Sequence, residues 1–598
     1  MNEMPARPVT PASSLASRAA VSERSAHLAP DCRGLNFFAL DHGLRSLLSL
    51  HMDETLHSHL APHLNELGVL GGGRLAELSE AAERHPPVLH PRDRFGRGNE
   101  TIEFHPAYRG MEKIAFGRFG MHAMTHRPDV MGWPDKYPPL AKYVFHYMFA
   151  QAEFGLLCPV NLTDSSSELI DRYGNETLRQ RYLDLIWTQD VNRLHRCAQF
   201  MTEKAGGSDV GAAELVAVRD GAHWRLWGEK WFCSNVDAEL AVLLARSEGA
   251  PDGGRGLGLF LMPKTLEDGT RNSYRIVRLK DKLGSRGMAS GEIVFEGAVA
   301  YQLGALDRGL KQMLEMVNSS RVSHLARAAG MMRRCLNEAM QASRHRSAFR
   351  KAVIDHPLMQ RQLLKLIVPT EQALSALFHV GGFSSRNDAQ ARAMLRILTP
   401  IYKYRACRDN VPVAVGAMEA RGGNGYIEDW PNARLVRDAP LGLLWEGTSN
   451  INSLDAIQRA VARERAHLAL REDLHERLDT ATVLPGQFRT RLQAGVKRAV
   501  AFAEEVAAHP EHERFCRVAA SQLYHATTAV LLANEGTRLG EAGGDARRLL
   551  LARFVLEHRL SETRPMNLAG FAWEDEAIPL LLDDAPVPLD QAAALAVR

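Results

Sequence analysis

Apolar positions in this chain fall into three successive textures: helical, then extended, then helical again. From about Leu35, the leucines Leu40, Leu44, Leu47, Leu48, Leu56, Leu60 and Leu64 recur at the spacing of a helix with one buried face. Pro62 and the run Gly71-Gly72-Gly73 interrupt the pattern. The glycine triplet reads as a flexible link, because no strand precedes it and no Lys-Ser/Thr follows it as a phosphate loop requires. Residues 104–187 are mainly helical, with Tyr143, Phe145, Tyr147 and Phe149 as core candidates, and Trp187 closes an all-helical first block. Near Val191 the pattern shortens into β-branched or aromatic segments at 214–219, 223–233, 238–246, 256–262, 274–279 and 291–295. Asp220-Gly221 and Asp252-Gly253-Gly254 mark turns between them, which predicts an antiparallel barrel or sandwich. From Gly309 the helical period returns over 314–344, 356–380 and 389–420, with the short connections of a bundle.

The expected fold is therefore α+β, multidomain and mainly α. An arm over 1–34, rich in Ala, Ser, Pro and Arg, is expected to be disordered. An N-terminal helical domain follows at 35–190, a middle antiparallel β-barrel at 191–304, a C-terminal four-helix bundle at 305–460, and an additional helical domain at 461–598. A chain of 598 residues needs several cores, so this division agrees with its length.

A net charge of +3 over the whole chain gives no electrostatic reason to expect nucleic acid or an acidic membrane surface. The opening MNEMPARPVTPASSLASRAA has no hydrophobic centre, and no apolar run reaches membrane-spanning length, so a cytoplasmic protein that meets no membrane is expected. The seven cysteines are scattered without a CxxC pair, and the histidines between His85 and His90 lack ligand spacing. Reduced thiols and no metal site are the reading.

The chemistry concentrates in residues 441–455, LGLLWEGTSNINSLD. Glu446 follows the apolar Leu443-Leu444-Trp445 and precedes Thr448, Ser449 and Asn450, all good helix N-caps. A carboxylate held against Trp445 would have its pKa raised by desolvation, as a general base needs. A first-turn glutamate that merely complements the helix dipole has the same local sequence, and these residues alone leave both readings open. Gly206-Gly207 beside Ser208 bares the backbone for phosphate or heterocycle oxygens, although Gly-Gly-Ser-Asp taken alone is most often a turn. A second cluster, Gly422-Gly423-Asn424-Gly425, resembles half of a dinucleotide fingerprint. The second follows a helix rather than a strand, so a Rossmann reading fails on context.

Six blocks occur in order: MTEKAGGSDV (201–210), KWFCSN (230–235), RLKDKLGSRG (278–287), RSAF (346–349), ARGGNGY (420–426) and WEGTSNI (445–451). Together with the α-β-α order they resemble the acyl-CoA dehydrogenase flavoproteins from about Leu35 to Arg459. The resemblance implies an FAD enzyme that dehydrogenates acyl thioesters between Cα and Cβ. The flavin would lie between barrel and bundle, the assembly would be a homotetramer, and an electron-transfer flavoprotein or other acceptor would take the electrons. Carried over by position, Met201 and Thr202 would contact the flavin ring, and Ser208 the pyrophosphate and the CoA arm. Phe232 takes the place of the stacking aromatic and Ser234 that of the hydroxyl near N5. Arg346 and Phe349 match a pair that reaches a neighbouring subunit's FAD, Gly422 and Gly423 would approach its diphosphate, and Thr448 and Asn450 would touch the cofactor. Glu446 matches the catalytic base, while Arg321, Trp445 and Gly447 join Ser208 as expected substrate contacts. Some relatives carry the base on the helix after the barrel, where this chain has Val317-Asn318-Ser319-Ser320-Arg321 and no carboxylate.

Phe232 replaces the usual Trp, Glu419 a common Gln, and Arg350 the glycine after Phe349. MTEKxGGSDV, KWF and RLKDKLG together, the stretch 84–108 and the extra C-terminal region resemble the AidB-like branch of the family. That branch implies an alternative: weak dehydrogenase activity, with a role in the alkylation-damage response through DNA association. Residues 461–598 hold seventeen Lys and Arg against twenty Asp and Glu. Arg547, Arg548, Arg553 and Arg559 read as a solvated helix face rather than a DNA-binding stripe. DNA binding is thus possible but not favoured, and the apolar faces around Val496, Val500, Phe502, Val506, Leu549–Leu551, Phe554 and Leu556 suggest an interface or lid.

Overall fold

The computed structural model describes residues 28–561 and 567–597, and most of the expected arm lies outside them. Residues 28–34, which composition groups with that arm, are seated in the molecule. Cys32 is fully buried and its N–H donates to Glu338 Oε1 at 3.2 Å, while Arg421 donates to the carbonyls of Ala29 and Pro30. These contacts use backbone atoms, which a hydrophobic pattern does not report.

Helix α1 (Glu54–Gly72) starts at an Asp53 N-cap and buries Leu56, Leu60, Leu64 and Leu67. It runs through Pro62 without ending there, because burial of that leucine face outweighs one lost hydrogen bond. Gly71 and Gly72 are not a flexible link either. A Cβ on Gly72 would lie 1.8 Å from the Leu35 carbonyl oxygen, and Gly34 N–H donates to Gly72 O at 2.7 Å. The glycines are where the entering chain crosses the helix. The first block is also not wholly helical: β1 (Val88–Arg92) and β2 (Gly98–Glu103) form an antiparallel hairpin. Its residues are almost all exposed, so they carried no apolar signal. Helices α2 (Pro139–Ala150) and α3 (Leu157–Tyr173) are buried almost throughout, Tyr143, Phe145, Tyr147 and Phe149 included.

Seven strands follow: β3 (Cys197–Phe200), β4 (Val216–Asp220), β5 (His223–Ser234), β6 (Leu240–Ser247), β7 (Leu257–Pro263), β8 (Tyr274–Leu279) and β9 (Ser290–Leu303). All but β3 stand where short apolar segments predicted them. Pairings run β6–β4–β5–β9–β7 and return from β7 to β6, which closes a ring, and β3 and β8 add to its edges. Most pairs are antiparallel, whereas β6 joins β3 and β4 in parallel. The inward residues, among them Leu226, Leu243, Phe260, Ile293 and Phe295, form a core of their own.

The bundle is built on α4 (Gly309–His345), α5 (Pro357–Ser384) and α6 (Ala389–Arg421), with the short α7 (Ser449–Leu454) beyond. At 37 residues, α4 spans about 55 Å at 1.5 Å per residue. The C-terminal helices α8 (His467–Thr480), α9 (Gly486–Ala508), α10 (Cys516–Glu541) and α11 (Arg547–Val555) share one continuous apolar core with the bundle. The seam also contains charge. Arg548, buried, donates to Glu371 on α5 at 2.6 Å and to Glu535 on α10 at 2.8 Å. Arg333 on α4 pairs with the same Glu371. Nearby, buried His379 bonds the Tyr402 hydroxyl at 2.6 Å through Nδ1 and the Asp473 carboxylate at 2.9 Å through Nε2. The reading of Arg548 and Arg553 as a solvated face is therefore corrected. Both point inward, Arg553 lying 3.9 Å over the Trp573 ring, because buried carboxylates and aromatic faces, unseen in a local charge count, supply their partners. No helix among the described residues is long and apolar enough to cross a membrane.

Arg548→Ala leaves Glu371 with one cation fewer and Glu535 without its arginine, both buried. It should destabilise the chain by about 3–5 kcal/mol, read as a lower denaturation midpoint. Arg275→Ala, which breaks the exposed pair with Glu296, should leave that midpoint almost unchanged, because solvent screens the pair. Equal effects would show that the seam is not held by this network.

Candidate active site

A cavity of about 1660 Å³ opens where the strand domain, α4 and the segment before α7 meet. Met201, Thr202, Ser208, Phe232 and Ser234 line it from the strand domain, Arg321 from α4, and Trp445, Glu446, Gly447 and Thr448 from the opposite side. Ten of the residues expected at the site therefore come together, although the two ends of the set are more than two hundred positions apart in the chain.

The strand-side wall is held from behind. Buried Lys230 pairs with Glu203 at 2.5 Å and donates to Met201 O, and Glu203 in turn accepts from the N–H groups of Glu214 and Leu215. Trp231 N–H donates to Thr202 O at 2.9 Å. Gly206 is required by packing: a Cβ there would sit 2.2 Å from the Asp209 carbonyl oxygen. Phe232 presents a half-exposed ring from β5, and Lys280 Nζ lies 4.7 Å over it. Bare glycine backbone, the hydroxyls of Thr202, Ser208 and Ser234, an exposed aromatic ring and a cation make a wall suited to a heterocycle bearing phosphates.

The opposite wall is a strained turn. Glu446 has φ +55° and Gly447 φ +90°, a left-handed pair that costs energy at the glutamate. Side chains pin the turn from outside. Arg321 Nε donates to Glu446 O at 3.2 Å, Lys403 Nζ on α6 to Gly447 O at 2.5 Å, and Asn452 Nδ2 to Gly447 O at 2.7 Å and Thr448 O at 3.0 Å. Thr448 caps α7 as its sequence suggested, its side chain accepting from Ile451 N–H. Arg321 also donates to Asp455 at 2.7 Å, which Arg396 holds from the other side at 2.8 Å.

The Glu446 carboxylate itself takes no hydrogen bond from any described residue. Burial pushes its pKa above the usual range, and the charges of Arg321, Lys403 and Arg327 oppose that rise. Lys403 and Lys282 are lowered to about 8, chiefly by burial. Lys282, on the cavity wall, donates to Met288 O at 2.6 Å.

The other expected residues lie elsewhere. Arg346 donates to Arg421 O at 2.7 Å, against Gly422, which has φ +78°. Phe349 and Arg350 form the tip of a small hairpin, both left-handed, and Phe349 is 89% exposed. These residues and Gly423 line no part of the cavity, nor does Asn450, which is exposed on the first turn of α7. Sequence reasoning missed Cys158, Lys403, Asn452 and Asp455. Lys280 and Lys282 were within a recognised block without an assigned role, whereas Lys403 sits mid-helix with no local signal at all. Pro510 and Glu513, from the C-terminal region, reach the cavity's rim.

Comparison with known proteins agrees with this arrangement. Residues 28–192 match the adaptive response protein AidB N-terminal domain, 198–298 the acyl-CoA dehydrogenase middle domain, and 307–462 the acyl-CoA dehydrogenase C-terminal domain. Acyl-CoA dehydrogenase family member 11 of Caenorhabditis elegans is 31% identical over 444 residues, covering 72% of this chain and 71% of that one. AidB of Escherichia coli is 32% identical over 407 residues, covering 65% and 72%. The solved structure of Caenorhabditis elegans ACDH-11 in complex with C11-CoA superposes with a TM-score of 0.82 at 25% identity, covering 93% of this chain and 96% of that one. With its three domain matches in order and two relatives above 30% identity, the chain belongs to the acyl-CoA dehydrogenase family, in the branch that carries the AidB-type N-terminal domain.

Proposed function

We propose that the chain is an FAD-dependent acyl-CoA dehydrogenase that removes hydrogen from Cα and Cβ of an acyl thioester, with Glu446 as general base. The observation that carries this reading is the Glu446 carboxylate, unbonded, facing Met201, Thr202, Phe232 and Ser234 across one cavity. Thr202, Ser208, Phe232, Ser234 and the bare Gly206-Gly207 backbone fit the flavin and its phosphates. Thr448 would add a contact from the opposite wall and Asn450 from the first turn of α7. When bound, FAD supplies the acceptor for the β-hydride.

The chain's own residues do the rest. Glu446 takes the α-proton, so it must be ionised yet basic. Burial supplies the basicity and the three neighbouring cations keep ionisation within reach. Arg321, Lys403 and Asn452 fix the turn that holds Glu446 in the cavity wall. Arg321, Trp445 and Gly447 form the substrate side, Arg321 chiefly by positioning, since its guanidinium is engaged with Glu446 O, Asn318 and Asp455. Ser208 stands at the CoA arm. The C11-CoA bound by the Caenorhabditis elegans neighbour supports a CoA thioester as substrate.

Electrons would leave to an electron-transfer flavoprotein or another acceptor. The exposed Phe349, Leu358 and Tyr426, close in space to Arg346 and Gly422, support a homotetramer in which Arg346, Phe349, Gly422 and Gly423 reach a neighbouring subunit's FAD. The alternative of the same branch, DNA association, would draw on C-terminal arginines, of which Arg548 and Arg553 are committed to interior partners.

The purified protein should be yellow with non-covalent FAD, and Gly206→Val should lose the flavin absorbance. A colourless protein that takes up no added FAD would sink the reading. Glu446→Gln should keep FAD while slowing flavin reduction by an acyl-CoA by about 100-fold or more in anaerobic stopped flow. Reduction at the wild-type rate would place the base elsewhere. The wild-type reduction rate should fall as pH drops through the raised Glu446 pKa, because the protonated carboxyl cannot accept the α-proton. Lys403→Met removes one cation that lowers that pKa, so the limb should move to higher pH. A limb that stays put or moves to lower pH would remove Glu446 from the titration.

A further inference from the structure

The strand-side wall of the cavity carries two lysines, Lys280 and Lys282, on the connection between β8 and β9. Their surroundings differ. Lys280 is neutralised, with its Nζ 2.6 Å from the Glu292 carboxylate and 3.2 Å from the centroid of the Trp231 ring. Lys282 Nζ donates to Met288 O at 2.6 Å and to Ser290 Oγ at 3.4 Å. It forms an ion pair with no carboxylate of the described residues. Neither of its acceptors carries charge, so a cation stands on the cavity wall without a counter-ion.

The loop that presents Lys282 is held in a strained form. Ser285 has φ +48°, and its N–H donates to Asp438 Oδ1 at 2.7 Å. Arg286 N–H donates to Glu83 Oε2, also at 2.7 Å. A Cβ on Gly284 would lie 2.4 Å from Asp438 Oδ1, so the loop is closed onto that carboxylate. Asp438, Glu83 and Glu153 are the carboxylates whose charge reaches Lys282. All three are occupied elsewhere: Asp438 and Glu83 by the loop N–H groups, Glu153 by the N–H groups of Gly155 at 2.6 Å and Leu156 at 3.0 Å. The Cys158 thiol, which also faces Lys282, is pushed up to about 11 by burial and stays neutral. Backbone strain kept by anchors on two separate helices points to a geometry that the site uses.

We propose that Lys282 is the counter-ion for the negative charge that FAD acquires on reduction, and so raises the flavin's reduction potential. The inference rests on the FAD-binding part of the reading above and adds a residue to it. Hydride transfer delivers two electrons and one proton to a neutral ring, so one negative charge remains in the cavity unless a second proton follows. Away from bulk water that charge is poorly screened, and a nearby cation counts for more than it would in solution. Lys282 shares its wall with Met201, Phe232 and Ser234, the residues that fit the ring, and Glu446 stands on the opposite wall. It therefore meets the charge that develops on the ring rather than the proton that the base removes. Burial lowers its amine to about 8, which leaves it protonated at pH 7.

The test reads the reduction potential of the purified holoenzyme at pH 7, by anaerobic reduction with dithionite in equilibrium with a reference dye. No acyl-CoA enters the measurement, so it is independent of turnover. Lys282→Met should disfavour the reduced flavin about tenfold, a fall of about 30 mV for a two-electron couple. Lys282→Arg, which keeps the charge, should retain most of the wild-type potential. Lys204→Met, which removes an exposed lysine paired with Glu229, should leave the potential unchanged. An unmoved potential in Lys282→Met overturns the inference, and so does an equal fall in Lys282→Arg or Lys204→Met. If Lys282→Met does not hold FAD, the wild type decides: its potential should lie above that of free FAD in the same cell, and a value at or below it overturns the inference. Wild-type protein that takes up no FAD overturns the dehydrogenase reading as well, whereas bound flavin with an unmoved potential overturns this inference alone.

Discussion

A left-handed turn at Glu446 is the constraint on which the site depends. A glutamate at φ +55° returns to ordinary backbone space unless something holds it, and the holding groups come from three separate elements: Arg321 from α4, Lys403 from α6 and Asn452 from α7. The turn is thus a product of the assembled bundle and not of its own sequence. Its energetic cost is offset by charge-assisted hydrogen bonds to backbone carbonyls, which leave the carboxylate itself free. The same cations that pin the turn, Arg321 and Lys403, also lower the proton affinity of the Glu446 carboxylate, so the geometry of the turn and the charge of its side chain depend on one set of contacts.

Much of this architecture was legible in the sequence where a periodic apolar signal existed. The leucines of α1, the short segments that became β4 to β9 and the three long helices of the bundle all stand where their patterns put them. The signal failed where packing used backbone or charge. Gly71 and Gly72 read as a link because a glycine's absent side chain looks the same whether it permits motion or admits a crossing strand of backbone. The β1–β2 hairpin was missed because most of its residues are polar and exposed, while Leu89 and Ile102 alternate too briefly to mark the face that packs on the strand domain. Arg548 and Arg553 looked like surface residues because their partners, Glu371 and Trp573, lie outside their own helix.

The site shows the same division. Residues inside ordered motifs, from Met201 to Thr448, met around one cavity, while Lys403 and Arg327 sit in helices with no motif around them. A lone cation in a long helix is locally indistinguishable from a solvated one, and only the fold reveals that both are interior. Arg346, Phe349, Gly422 and Gly423 lie away from the cavity, at and around an exposed hairpin tip.

The crossing at Gly72 bears on the order in which the molecule is built. Residues 29 to 32 precede the groups that fix them, Glu338 and Arg421, by some three to four hundred positions. Contacts so distant along the chain close late, after the helices that carry them have met. Residues 29 to 34 therefore cannot be fixed as a latch across α1 before α4 and α6 are in place.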